Sequence, residues 1–277
     1  MVKGMRSAFT HGCALGIAVL SAIGVVASAR TADAADATAR QHWSGPQGDS
    51  WQSIAKLPDW QGAWNLDMAT FQRGRQTAVN PKHNPYSAPL NSKWEAYRQS
   101  NAAANNGDGP PTGTVNNATR CLPDGMPALM SAPHAFMFMF TPGMVVILSE
   151  SGEYRLVHTD GRAHPDDVDS SWDGDSIGHW EGDTLVIDTI GINPRSELFM
   201  GMPDSSDKTH VVERMRLDPK DEKIHLDVTV TDPGVLTRPF QYSNTFERDS
   251  NGLTESYCQE NNRDTDQGST NLKPPGN

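Results

Sequence analysis

Ile224-His225-Leu226-Asp227-Val228-Thr229-Val230 alternates apolar and polar side chains without a break. A period of two belongs to a strand with one buried face, because successive side chains point to opposite sides of the backbone. Ile224, Leu226, Val228 and Val230 therefore face a core, and Lys223, His225, Asp227 and Thr229 face away. Upstream, Thr209–Leu217 carries the same period, with Val211, Met215 and Leu217 as its apolar set. That register also aims Glu213 inward, where a carboxylate is costly unless it is paired or hydrogen-bonded.

Outward from this pair the chain is dense in short strands. Ala135–Phe140 and Met144–Glu150 flank the turn Thr141-Pro142-Gly143, and Glu153–His158 follows Ser151-Gly152. Asp175–Trp180 and Thr184–Thr189 flank Glu181-Gly182-Asp183. Arg238–Phe246 and Leu253–Cys258 complete the series. Each segment is β-branched or aromatic and bounded by Gly, Pro, Asp or Asn. Hairpin-linked strands with almost no helix predict an all-β antiparallel barrel. Upstream again, Leu57 to Asp67 reads as a turn into a first strand. Its Gly62-x-Trp64 is similar to the Gly-x-Trp that opens lipocalins and related calycin barrels, which implies a lipocalin-like barrel.

Residues 70–120 interrupt this pattern. Asn91 to Ala104 reads as one helix with Trp94 and Tyr97 on one face, and Asn105 to Asn117 is a Gly/Pro/Asn-rich loop. The stretch is expected to be a loop-and-helix insertion in a single domain spanning 57–262. Residues 30–56 read as an N-terminal arm and 263–277 as a disordered tail.

The first 29 residues read as a secretory signal. Lys3 and Arg6 precede an uncharged apolar run from Cys13 to Val26, and Ala27-Ser28-Ala29 supplies a small-x-small cleavage site. The run is too short to cross a bilayer core of ~30 Å as a helix. The expected location is therefore the periplasm or the exterior, with no membrane insertion after cleavage. Of 23 basic side chains two fall in this leader, leaving 21 against 34 acidic and a net charge of −13. Such a balance argues against nucleic acid as a partner, since nucleic-acid binding needs basic patches. Cys121 and Cys258 remain after processing and are expected to form a disulfide in an oxidising compartment.

The densest polar run, His158 to Asp183, begins as a long loop between two strands, and long structured loops on a β scaffold are usually functional. Thr159-Asp160-Gly161-Arg162-Ala163-His164-Pro165 and Ser176-Ile177-Gly178-His179-Trp180-Glu181-Gly182-Asp183-Thr184-Leu185-Val186-Ile187-Asp188-Thr189 lie within or just beyond it. With Arg120-Cys121-Leu122-Pro123, His210–Arg214, Asp232-Pro233 and Tyr257-Cys258-Gln259-Glu260-Asn261-Asn262, these motifs resemble a large, mainly uncharacterised family of exported bacterial β-rich proteins. The resemblance covers residues 57 to 262 and implies no established reaction. This chain departs from the family at Pro133-His134-Ala135-Phe136-Met137, where an aromatic usually replaces His134 and methionines are fewer.

Three readings of the run compete. His164, Asp166, Asp169 and His179 are possible metal ligands, although no metal-binding spacing is present and no cofactor is expected. His158, His164, His179 and Glu213 can supply an acid and a base. In that catalytic reading Arg162 and Asp160 bind substrate at the barrel mouth, with Trp172, Trp180 and His134 adding contacts. In the structural reading, Asp160 and Arg162 lock a turn and Trp172 and Trp180 plug the barrel. Asp188, on the face of Val186, is a further candidate inward acid. Met137 and Met139 share a face beside His134, which leaves copper open. No nucleophile elbow, phosphate loop or dinucleotide fingerprint occurs. The expected function is an exported enzyme using acid–base chemistry (lyase, isomerase or hydrolase) on a partly apolar organic molecule. The alternative is a non-catalytic carrier of such a molecule. A Glu213 near imidazoles favours the enzyme, whereas its neutralisation by a buried arginine, with no histidine nearby, favours the carrier.

Overall fold

The computed structural model describes residues 50–71, 87–104, 117, 121–199, 202, 204–256 and 258. The stretches read above as a signal and a tail, most of the stretch read as an arm, and most of residues 72–86 and 105–120 lie outside these residues. Nine strands close into a barrel in sequence order: β1 Ala63–Leu66, β2 Phe136–Thr141, β3 Met144–Ser149, β4 Tyr154–His158, β5 Asp175–Glu181, β6 Thr184–Ile190, β7 His210–Asp218, β8 Lys223–Thr231 and β9 Phe240–Asp249. Closure pairs β1 with β9 and leaves no free sheet end, which removes the aggregation hazard of an edge strand.

The expected antiparallel barrel needs one correction. Antiparallel neighbours alternate in direction, so a ring of nine strands cannot close with every pair antiparallel. The single parallel pair is β4–β5, held at only two positions, Val157↔Ser176 and His158↔Ile177. Its connection is the 159–174 loop, since parallel neighbours require a crossover rather than a hairpin. Beyond those two pairs, residues 171–175 run beside the start of β4 without joining it, and the barrel wall opens there. The expected strand at 253–258 is also absent: residues 252–256 are irregular, and Cys258 lies beyond the last strand.

The alternation of β7 and β8 is as read from the sequence. Val211, Glu213, Met215 and Leu217 are inward on β7, and Ile224, Leu226, Val228 and Val230 on β8. At one end the interior is aromatic. Trp60 meets Phe138, Phe140 and Trp180 edge-on, with centroids 4.9, 6.0 and 5.7 Å away. On β5 the inward residues Ser176 and Gly178 are small. A Cβ on Gly178 would sit 2.8 Å from Val157 Cγ1, so the parallel seam is too close for a side chain there.

The insertion contributes helix α2, Ser92–Ala104, which follows the short helix α1, Trp51–Ile54. Asn91 Oδ1 accepts the Trp94 amide at its start. Trp94 is buried against the core and meets Tyr97 edge-on at 5.6 Å. Cys121 and Cys258 are bonded, with Cα atoms 5.4 Å apart.

Candidate functional site

The opening between β4 and the 171–175 segment forms a groove of about 460 Å³ in the barrel wall. β4 supplies one wall, with Glu153 at its entry and the outward Tyr154, Leu156 and His158. Trp172, Asp173 and Asp175 form the facing wall, and the buried Ser176 is at the base. Alternation explains both sides: Arg155 and Val157 point into the barrel, so their neighbours line the groove.

Trp172 is held by backbone. Its carbonyl accepts the Met126 amide at 2.8 Å. Gly125, at φ +65°, passes directly beneath; a Cβ there would lie 2.9 Å from that carbonyl and 2.4 Å from Ser196 Oγ. Only glycine fits this crossing. Arg195 lies over the Trp172 ring, 5.5 Å from its centroid.

Besides Asp175, three carboxyls gather around the groove. Glu153 accepts the Asp124 and Gly125 amides at 3.1 and 3.0 Å. Asp173 Oδ1 and Asp124 Oδ2 are buried and make no hydrogen bond. Burial pushes the Asp173 carboxyl up to about 7; Glu153 repels its charge further, Arg155 opposes this, and Asp124 adds the smallest push upward. Burial and Glu153 likewise push Asp124 up to about 6, with His134 opposing. A carboxyl that exchanges its proton near neutrality, at the wall of a groove, suits general acid–base work.

Behind the groove lies a buried ion pair. Arg155 Nη2 donates to Glu213 Oε2 at 2.5 Å, and both residues are wholly buried. Arg155 also donates to Ser176 Oγ at 3.1 Å and Thr189 Oγ1 at 2.8 Å. Glu213 is therefore inward as read, but its partner is a guanidinium, not an imidazole. Such a carboxylate is committed to neutralising Arg155. The nearby Tyr242 phenol is pushed up by burial and makes only a long contact, 3.5 Å, with Ser131.

His164, His179 and Glu213, the candidate acid–base residues, do not come together with Asp160 and Arg162, the candidate substrate ligands. His179 is outward on β5 and bonds Glu181 at 3.1 Å, while Arg214 holds the other Glu181 oxygen at 2.6 Å. Trp180, its neighbour, points the opposite way into the aromatic end of the barrel, so it plugs and does not line the groove. Arg162 pairs with Asp160, two residues back, at 2.5 Å and is half-exposed. That bond holds the Asp160 carboxyl below its usual range and locks the turn. Asp188 is outward, not inward: Val186 and Asp188 alternate with the interior Leu185, Ile187 and Thr189.

His158 and Trp172 do line the groove. His164 stands beside it: Nδ1 meets Asp175 Oδ1 at 2.5 Å and Nε2 meets Asp188 Oδ1 at 3.0 Å, where His210 also bonds. His134 is half-buried near Asp124 and Glu150, at 3.8 and 3.9 Å. Asp173, Glu153 and Asp124 were not singled out by their sequence. Asp173 sits in the dense polar run, but the other two come from distant segments and carry no local signal. Among the described residues, one group has metal-ligand proximity, Asp218, Asp221 and His225 on the hairpin after β7, and none of the candidate metal ligands in the 159–174 loop belongs to it. No protein-family model, curated protein or solved structure matches this chain.

Proposed function

We propose that the chain is an exported small-molecule enzyme whose wall groove performs acid–base chemistry on a partly apolar organic molecule. The reaction is of lyase, isomerase or hydrolase type. Asp173 is the proton-exchanging group, His158 its partner across the groove, and Trp172 with Leu156 the apolar walls. The observation that carries this reading is the Asp173 carboxyl, unbonded at Oδ1 and pushed up to about 7 at the groove wall. A group in that range holds either protonation state at neutral pH. Export is supported by the leader pattern and by the Cys121–Cys258 bond, which suits an oxidising compartment.

The test starts with native mass spectrometry of the purified chain to identify a co-purifying molecule. Turnover of that molecule is then compared between wild type and Asp173→Asn. The expected result is a loss of turnover of about 100-fold or more, in the range for a general acid–base group, well beyond any several-fold weakening of binding. Unchanged turnover removes Asp173 from the chemistry. Unchanged binding in Trp172→Ala moves the ligand out of the groove.

A second reading, a non-catalytic carrier, is favoured by one observation: Glu213 is neutralised by the buried Arg155. A co-purifying molecule that wild type binds but never converts decides for the carrier.

A further inference from the structure

The outer surface of the barrel is divided. On β5 to β9 it carries ion pairs: Glu181–Arg214, Arg216–Asp218, Asp221–His225 and Lys223–Glu247. On β2 to β4 it is apolar. The registers place Met137, Leu148 and Tyr154 in one row across the three strands, and Met139, Val146 and Leu156 in the next. A third row, Thr141, Met144 and His158, closes the grid without a fixed charge. Of the five large hydrophobic side chains exposed among the described residues, three are here: Tyr154 at 63%, Met139 at 43% and Leu156 at 40%. A contiguous exposed apolar face marks an interaction site, whereas scattered single residues do not.

This face runs directly into the groove, because Tyr154 and Leu156 belong to both. The charge changes at that junction. The groove is lined by Glu153, Asp173 and Asp175, and by no Lys or Arg. Asp173 Oδ1 is buried and lacks a donor, so a ligand that brings one satisfies it. An ammonium supplies both the donor and the opposite charge, and a carboxylate supplies neither. Methionine side chains suit a flexible apolar partner, since they adapt to its shape.

We infer that the ligand of this groove is an amphiphilic organic cation, with an amine head between Asp173 and Glu153 and an apolar tail over the β2–β4 face. The inference rests on the groove being the ligand site proposed above, and it names the class of molecule that the site takes. The grid of three rows on three strands is about 14 Å wide at a strand spacing near 4.8 Å and about 20 Å long at two residues of ~3.4 Å per row, an area of roughly 300 Å². That is smaller than the ~800 Å² per partner of a stable protein pair, so a chain-like small molecule fits it better than a second copy does.

The test uses the full chain and three matched series, n-alkylammonium chlorides, n-alkanoates and n-alkanols from butyl to decyl, below their aggregation concentrations. Isothermal titration calorimetry is expected to show ammonium affinity rising roughly fourfold per added methylene that is buried, with alkanoates at least tenfold weaker at each length. Met139→Ser with Val146→Ser, both outside the groove, should flatten the length dependence and leave butylammonium unchanged. Asp173→Asn should weaken every ammonium several-fold without altering the slope. Equal affinity for ammonium and alkanoate overturns the cationic head, and a flat wild-type series overturns the tail surface. A dimer in sedimentation that Leu156→Ser dissociates, with no ammonium binding, assigns the face to a second copy and overturns both. Tight ammonium binding with turnover that ignores Asp173 sinks the acid–base reading alone. Asp173-dependent turnover of an uncharged molecule, with no preference for ammonium, sinks this inference alone.

Discussion

Asp173 has an ordinary carboxyl value of 3.8 and is pushed up to about 7, first by burial and then by the charges of Glu153 and Asp124. The fold therefore prefers the protonated acid. Its contribution to stability is complete below about pH 4, declines as the pH rises and is gone above about pH 7, where a charge must be buried. Asp173→Asn is neutral throughout. Its melting temperature should exceed that of wild type by a margin that grows from pH 4 to pH 7 and then stays level. Differential scanning calorimetry across that range checks this, and a pH-independent margin would show that the carboxyl is not raised. Replacing Glu213 by its amide has the opposite effect on stability, through the buried ion pair. Glu213→Gln leaves the Arg155 charge unpaired in the interior, at a cost of about 3–5 kcal/mol. The pair Arg155→Met, Glu213→Leu removes both charges and should recover most of that loss. Urea unfolding of the single and double variants measures the difference; a harmless Glu213→Gln would contradict a structural role for the pair.

The 159–174 loop is the element that decides the site. It carries the chain from the end of β4 to the start of β5 and supplies Trp172 and Asp173 to the groove. Its fastening is His164, set between Asp175 and Asp188 at 2.5 and 3.0 Å. Ser171 adds a short parallel bridge to Ile192. His164→Ala should speed amide exchange of residues 163–174 severalfold while moving global stability by only about 1 kcal/mol, the net scale of a hydrogen-bonded contact. Hydrogen–deuterium exchange with peptide resolution reads both. Uniform acceleration over the barrel would mean that His164 supports the whole fold and not the loop. The alternation of β7 and β8 was legible because a period of two survives in the sequence whatever lies across the sheet. The loop's role was half legible: its length and polarity marked it, but the partners of each imidazole did not follow from spacing.

Across the whole molecule, the Cys121–Cys258 bond links the segment before β2 to the chain beyond β9. Closing 137 positions of chain lowers the entropy of the unfolded state, and the chain-entropy model puts this at about 4–5 kcal/mol. Cys121→Ser with Cys258→Ser should therefore lower unfolding stability by about 2–5 kcal/mol while leaving the far-ultraviolet circular dichroism of the folded barrel unchanged. Equal midpoints with and without reductant would show that the bond contributes no stability.

The sequence by itself determined eight of the strand positions from β2 to β9 to within a few residues, the helix with Trp94 and Tyr97 on one face, the inward aim of Glu213 and the cysteine pair. These follow from local periodicity, turn residues and a count of two. Only the tertiary structure decided that the ring holds nine strands, and hence that one neighbouring pair is parallel and the wall opens beside it. It also decided that Arg155 meets Glu213, 58 positions apart, and that Asp124, Glu153 and Asp173 meet around one groove. Ion pairing and mutual repulsion depend on distance in space, and in a barrel that distance is set by closure and register, which no local stretch of chain encodes.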